Sequence, residues 1–249
     1  ECGYIALHAS RLLRADILDT LYGVFVGITF VPFEEVLVSN PVGGTAFAAT
    51  GSGHSIASGR LAYVLGTNGP CLSIDTACSA ALAACHLTVA AIRTAECEAG
   101  LSMGINLMLS PVVACRFARA GMTSPVGKCH TFDIRADGYA RAESCGGMSM
   151  ATGTGVNGQY AGSCVNQDGQ SASLTAPNAL AQIDLITAAL MDAHVTPDDL
   201  DMIEAHGTGT SLGDPIEASS LSAAVLSQRS IYQPPLPFAT SGDTTSFSL

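Results

Sequence analysis

A mostly parallel α/β fold, with helices covering both faces of a buried sheet, is what the order of apolar segments predicts. Three observations carry that reading. Short unbroken apolar runs, among them residues 23–28, 72–75 and 99–109, alternate with stretches of helical length, the pattern of strands buried on both faces. The composition is 48% hydrophobic and 12% charged, with 26 glycines and no tryptophan, which suits closely packed layers of small residues and argues against disorder. A chain of 249 residues can bury roughly 70–75% of its unfolded surface, enough for one domain or two similar halves.

Residues 6–21 set Leu7, Leu13, Ile17, Leu18 and Leu21 at helical spacing and predict a first amphipathic helix. A buried strand over 23–28 follows, then a loop rich in glycine and alanine over 43–53. Residues 55–65 predict a helix that Gly66 stops. A strand at 72–75 leads through Thr76-Ala77 into a helix over 78–93, and a strand over 99–109 ends at Ser110-Pro111. Loop chemistry dominates residues 123–139. Strands are expected over 144–152 and 160–165, then a helix over 180–193 with Ile183, Leu185, Ile186, Ala189 and Leu190 turned inward. Thr196-Pro197-Asp198-Asp199 has the chemistry of a capped turn. Last come a strand at Met202-Ile203 and a helix over 215–228 with Asp214 as its N-cap.

Charge and cysteine usage narrow the function classes. Ten basic residues against 21 acidic give a net charge of −11, and the basic ones form no run, so nucleic acid is not the expected partner. No apolar run has the length of a membrane span, and the chain shows neither a basic n-region nor an h-region. Nine cysteines, an odd number without paired spacings, read as reduced thiols of a cytoplasmic protein. Neither C-x-x-C nor H-x-x-x-H spacing occurs, so no metal is expected.

Two stretches carry chemistry. Cys78 follows a strand end and opens a helix, where unpaired backbone N–H groups and the positive end of the macrodipole favour a thiolate over a thiol. A cysteine in an apolar run is more often a small core residue, the reading kept for Cys85 two helical turns on. His206 follows the strand at Met202-Ile203 in the turn Glu204-Ala205-His206-Gly207-Thr208-Gly209-Thr210, which is too rich in glycine to be core. A thiolate and a histidine at strand ends suit thioester acyl transfer.

These residues resemble a known family. Asp75-Thr76-Ala77-Cys78-Ser79-Ala80-Ala81-Leu82, Val165-Asn166-Gln167-Asp168-Gly169, Leu174-Thr175-Ala176-Pro177-Asn178 and the histidine turn are similar, in this order, to the ketosynthase domain of type I polyketide synthases, and to fatty acid synthases. The likeness runs from about Gly23 to about Ser222. It implies a thiolase-like fold of α-β-α-β-α layers built from two related halves. The present sequence would supply the first half, residues 1–195 with the nucleophile, and the start of the second, residues 196–249 with the histidine. It also implies that Cys78 accepts an acyl chain from the phosphopantetheine arm of an acyl carrier protein, and that a malonyl-type thioester is then decarboxylated and condensed onto it. His206 would donate to the extender's thioester carbonyl, the Cys78 N–H would contribute to an oxyanion hole, and Thr208 and Thr210 would orient the loop and line the pantetheine entrance. The chain itself would bind no cofactor, and a homodimer is expected. Asp133, Asp137, Glu143 and Asn166-Gln167-Asp168 match flanking motifs and are given supporting roles.

The sequence also departs from the family. Ala80 replaces a serine, Ala142 and Ser144 replace glycines around Glu143, and the stretch from Met150 to Ser163 is short. The family's V-K-x-N-x-G-H segment has no match; aligning Pro235-Leu236 with its strand sets Gly242 at the lysine and Phe247 at the second histidine. Without those two groups this chain is expected to be acylated at Cys78 but not to complete condensation by itself. A non-catalytic docking or chain-length partner is the alternative, against which the intact Cys78 weighs.

Two further motifs compete. Gly153-Thr154-Gly155-Val156-Asn157-Gly158 fits the dinucleotide fingerprint, but no helical pattern follows it and the first acid, Asp168, comes too early. Gly100-Leu101-Ser102-Met103-Gly104 fits the hydrolase elbow, and Asp184 with His206 could complete a triad. The elbow needs a helix after its serine, whereas Ile105-Asn106-Leu107-Met108-Leu109 continues as a strand, so Ser102 is expected inside a sheet.

Overall fold

The computed structural model describes residues 1–29, 33–40, 48–153 and 158–240, with residues 243–248 described by their backbone. Two compact units form, Glu1–Ala114 with Ala142–Gln159, and Cys115–Arg141 with Tyr160–Leu249.

In the first unit, Tyr22–Ile28 (β1), Cys71–Ile74 (β2), Ala99–Asn106 (β3) and Ser144–Ala151 (β4) form a sheet of order β2-β1-β3-β4. β1 runs parallel to β2 and to β3, and β4 is antiparallel to β3. The two-residue period of a strand divides the apolar run between two faces. Tyr22, Val24, Val26, Leu101 and Met103 form one core with Ala6 and Leu7 of helix α1 (Cys2–Ala9), Ile17 of α2 (Arg14–Ile17) and Leu65 of α5 (Ile56–Leu65). Phe25 faces the other way, against Ala84 and Ala91 of α6 (Ala80–Arg93) and against Cys97. Two short helices, α3 (Phe33–Val38) and α4 (Ala48–Ser52), lie between β1 and α5 in the chain.

The seating of α6 is set by two glycines. Gly27 and Gly104 are register partners on adjacent strands. A Cβ on Gly27 would lie 2.4 Å from the backbone carbonyl of Ala80, and one on Gly104 would lie 2.6 Å from the Cβ of Ala81. Only bare backbone on the strands lets the first turn of α6 come this close.

In the second unit, Ile203–Ala205 (β5), Pro237–Thr240 (β6) and Asp243–Ser248 (β7) form a sheet of order β5-β6-β7, parallel between the first two and antiparallel between the last. Its core joins Ile203, Ala205, Leu236 and Phe238 to Leu221 and Ala224 of α9 (Gly213–Ala224), with Ile183 and Ile186 of α8 (Ala179–Ala193) packed against it. The Asn178 side chain caps α8 by accepting from the N–H groups of Leu180 and Ala181. The capped turn expected at Thr196 forms over Pro197–Asp199, with Asp199 Oδ2 2.7 Å from both the N–H and the hydroxyl of Thr196.

Several expectations need correction. The single helix over 6–21 is two helices, because the chain turns left-handed at Arg11 (φ 59°) after the Ser10 hydroxyl has bonded back to the Ala6 carbonyl. Leu13, Leu18 and Leu21 are accordingly exposed while Leu7 and Ile17 are buried. β3 ends at Asn106, and Pro111–Arg119 is an additional helix, α7. Residues 160–165 pair with no strand among the described residues; the Ser163 N–H bonds instead to the Asp192 carboxylate of α8. Of the expected loop over 43–53, residues 48–52 are helical and residues 43–47 lie outside the described set.

The glycine contact yields a stability prediction. Gly27→Ala should cost about 1–3 kcal/mol by overpacking backbone. Gly146→Ala, at a position with nothing within 4 Å of a Cβ, should stay within about 0.5 kcal/mol. Urea unfolding of the two variants checks this, and equal losses would refute the seating argument.

Candidate active site

The turn between β2 and α6 lifts one cysteine to the surface. A 3₁₀ turn over Ala77–Ser79 runs directly into α6, and Cys78 at its centre is exposed. Ala77 has φ 56°, a left-handed conformation that costs an alanine about 1–2 kcal/mol. Side chains on both flanks hold it there. The Asp75 carboxylate accepts the Ala77 N–H at 3.0 Å, and the Thr29 hydroxyl donates to the Ala77 carbonyl at 3.0 Å. The Ser79 hydroxyl lies 2.9 Å from both the carbonyl and the Oγ1 of Thr76, tightening the same turn. Cys78 thus stands ahead of a 14-residue helix, where the dipole favours a thiolate.

Three other thiols of this unit differ in kind. Cys85 is buried, with the Ser102 hydroxyl 3.2 Å from its sulfur. Burial pushes the Cys97 thiol up, and burial together with the Cys2 thiol pushes Cys145 up. Ser102 itself is 2% exposed in the middle of β3, so the hydrolase elbow has no nucleophile at the surface.

In the second unit the histidine turn follows β5. His206 is exposed, and the backbone on either side of its carbonyl is fixed by one carboxylate: Glu217 Oε1 accepts the His206 N–H at 2.6 Å and Oε2 the Gly207 N–H at 2.8 Å. Asp214, 3% exposed, holds the other end of the turn. Its Oδ1 accepts from the N–H groups of Gly209 (3.0 Å) and Thr210 (3.3 Å), and its Oδ2 accepts from Phe132 at 2.6 Å. Asp214 therefore does not cap α9 as expected; the helix begins one residue earlier, at Gly213, and the carboxylate is spent on loop backbone. The Thr131 hydroxyl donates to the Gly207 carbonyl at 2.6 Å. Thr210 Oγ1 accepts the Gly213 N–H at 3.1 Å and lies 3.2 Å from Thr208 Oγ1, so both threonines brace the loop.

His206, Thr208 and Thr210 are thus brought together in one loop of the second unit, and Cys78 belongs to the first. Four of the flanking polar residues make local contacts. The Arg135 guanidinium, 2.7 Å away, holds the Asp133 carboxyl well below the usual carboxylate range. Glu143 Oε1 accepts the Met108 N–H at 2.7 Å, Asn166 Nδ2 donates to the Ala181 carbonyl at 2.7 Å, and Gln167 Oε1 accepts the Gly169 N–H at 2.7 Å. Sequence reading missed Glu217 and the strained Ala77. The signal for Glu217 was available, since two carboxylates three residues apart at a helix start face the same preceding loop. Of the dinucleotide-like segment, residues 154–157 lie outside the described set. Among the described residues, no group of three or more His, Cys, Asp or Glu side chains could hold a metal ion, and no helix is long and apolar enough to cross a membrane.

Comparison with known proteins gives the family. Residues 1–153 match the family described as Beta-ketoacyl synthase, N-terminal domain, and residues 157–239 match Beta-ketoacyl synthase, C-terminal domain. The chain belongs to the beta-ketoacyl synthase family. It is 40% identical over 230 residues to a phenolphthiocerol/phthiocerol polyketide synthase protein of Mycobacterium tuberculosis, an alignment covering 90% of this chain and 13% of that protein. A second phenolphthiocerol/phthiocerol polyketide synthase protein, from Mycobacterium bovis, is 42% identical over 231 residues, covering 89% and 11%. The chain therefore spans about an eighth of the length of these curated relatives. Among solved structures, the ketosynthase from module 6 of the bacillaene synthase of Bacillus subtilis 168 superposes with a TM-score of 0.84 at 28% identity, covering 98% of this chain and 42% of that one. A Streptomyces albus oxazolomycin ketosynthase domain gives 0.81 at 30% identity, covering 98% and 45%. The fold is the thiolase-like fold of ketosynthases.

Each turn can be tested separately. Limiting iodoacetamide should label Cys78 before the other eight cysteines, as read by peptide mapping of the folded protein; faster labelling elsewhere would remove its claim to be the nucleophile. Asp214→Ala should cost about 3 kcal/mol or more, since three backbone N–H groups lose a charged acceptor. Asp214→Asn should cost less, and denaturant titration of both variants measures the order.

Proposed function

We propose that this chain carries the acyl-transfer chemistry of a polyketide-synthase ketosynthase, with Cys78 as the nucleophile. The observation that supports this most directly is the position of Cys78, an exposed thiol on a side-chain-braced turn at the start of α6 in a chain of this family. In the first stage the Cys78 thiolate attacks the carbonyl carbon of an acyl thioester carried on the phosphopantetheine arm of an acyl carrier protein. A tetrahedral oxyanion forms and collapses, the carbon–sulfur bond to pantetheine breaks, and the released thiolate takes up a proton. In the second stage a malonyl-type thioester loses carbon dioxide, its enolate carbon attacks the Cys78 acyl carbonyl, and the Cys78 thiolate leaves a β-ketoacyl thioester.

His206 has its role in the second stage, donating to the extender's thioester carbonyl as negative charge develops on that oxygen. A preorganised donor of this kind is worth about 10²–10³ in rate. Glu217 and Asp214 serve it indirectly by fixing the backbone from which the imidazole projects. Thr208 and Thr210 keep the loop open toward the pantetheine arm. Among the described residues β2 pairs on one side only and presents Leu72 to solvent, an edge on which a second copy of the chain can add in the homodimer we infer. With Pro235-Leu236 matched to the family's strand, Gly242 and Phe247 take the places of the lysine and second histidine, and on that alignment acylation is the half-reaction we assign to this chain by itself.

Incubation with an acyl carrier-protein thioester should add one acyl group to Cys78, seen by intact mass and lost in Cys78→Ser. His206→Ala should leave that acylation nearly unchanged and slow malonyl decarboxylation by about 10²-fold or more. Failure of Cys78 to acylate would favour the non-catalytic alternative, and equal loss of both half-reactions in His206→Ala would make the histidine a structural residue. Condensation product at the rate of complete ketosynthases would overturn the half-reaction assignment.

A further inference from the structure

We propose, on the reading of His206 as donor to the extender carbonyl, that Thr131 is its positioning residue: the Thr131 hydroxyl clamps the turn that carries the imidazole, and without that bond the histidine loses its aim while the fold persists. Gly207 has φ 53° and Gly209 φ 72°. Glycine rotates at such positions with little steric resistance, so a turn holding two of them keeps one shape only where outside groups fix its peptides. Glu217 takes the N–H groups of His206 and Gly207, and Asp214 takes those of Gly209 and Thr210. The Gly207 carbonyl goes to Thr131, whose hydroxyl donates to it at 2.6 Å. That bond sets the plane of the peptide between Gly207 and Thr208. A crankshaft rotation of Gly207 would tilt its N–H off Glu217 and swing the peptide that joins it to His206.

The clamp has a firm base. Thr131 precedes Phe132, whose N–H is held by Asp214 Oδ2 and whose ring meets that of Phe238 edge-on at 5.1 Å, and Phe238 is buried in the core of the same unit. Further along, the Gly138 N–H donates to the Gly209 carbonyl at 2.9 Å, and a Cβ on Gly209 would lie 2.9 Å from the His130 nitrogen. Backbone thus fixes this segment against the turn, and the Thr131 side chain reaches from it to the residue next to His206. The two branches of Thr131 have different tasks. Oγ1 makes the bond, and Cγ2 fills the space beside Gly207, where an added Cβ would come within 2.6 Å of it. Valine keeps the methyl and deletes the bond, and serine keeps the bond and deletes the methyl. Loss of packing and loss of aim are therefore separable by substitution.

The test compares the full chain with Thr131→Val, Thr131→Ser and Thr131→Ala. The ring signals of the six histidines are read by NMR, that of His206 being identified by its loss in His206→Ala. Thr131→Val should shift and broaden the His206 signal and leave those of His8, His54, His86 and His194 unmoved, and Thr131→Ser should keep all of them. Thr131→Ala, which differs from Thr131→Ser only in the hydroxyl, should behave as valine does. With a malonyl carrier-protein thioester, Thr131→Val should lower kcat for carbon dioxide release about tenfold, the order of one hydrogen bond, with little change in KM, and should acylate Cys78 at the parent rate. Combined with His206→Ala it should add no further loss. An unmoved His206 signal in both valine and alanine variants, an equal response to serine and alanine, or a further loss on top of His206→Ala would overturn the clamp. Carbon dioxide release that His206→Ala leaves unchanged would overturn the donor role of His206 and, with it, the catalytic part of this proposal.

Discussion

The close approach of α6 to the sheet is the constraint on which the cysteine turn depends. A helix normally rides on strand side chains, and its first turn then stands well above the strand ends. Here two register-paired glycines remove those side chains beneath Ala80 and Ala81, and the helix start drops onto bare backbone. The chain leaving β2 must then rise sharply into α6, and the strained Ala77 is the residue that absorbs the turn. The strain is local, and Asp75 and Thr29 offset it with hydrogen bonds from both sides. Cys78 is exposed and fixed because of this packing, with no dedicated element built to present it.

The histidine turn is organised by the opposite means. Its N–H groups are gathered by two carboxylates from the start of α9, where the cysteine turn relied on close packing. Acidic side chains at a helix start gain from the dipole, so the same groups that suit α9 also satisfy a loop that has no ladder of its own. Charged acceptors suit this task, since each oxygen can hold more than one amide, and Asp214 holds three in all. The imidazole thus projects from a backbone that two carboxylates hold.

Much of the fold was legible because its causes are local. β1 and β2, the helix stopped at Gly66 and the capped turn at Thr196 each announce themselves within a few residues, and the structure places them within a residue or so of the expected bounds. The order of the cysteine and histidine motifs carried the family reading, which the family matches support. What escaped depended on distant partners. Asp214 has the local chemistry of an N-cap, and nothing near it in sequence betrays Phe132 as a recipient of its second oxygen. Residues 160–165 have the composition of a strand but meet the Asp192 carboxylate in place of a neighbouring strand. Residues 6–21 kept helical spacing across Arg11, where the backbone reverses hand.

The bonds from Thr131 and Phe132 to Gly207 and Asp214 also say when the histidine turn can form during folding. They join segments some eighty residues apart, with α8 and β4 between them in the chain, so the entropy of closing that loop must be met before either bond contributes. The cysteine turn needs only β2, the helix that follows it, and β1 and β3 on which that helix sits, all drawn from the first part of the chain. Assembly order therefore runs from the cysteine turn to the histidine turn. A nascent chain acquires the cysteine turn well before the histidine loop.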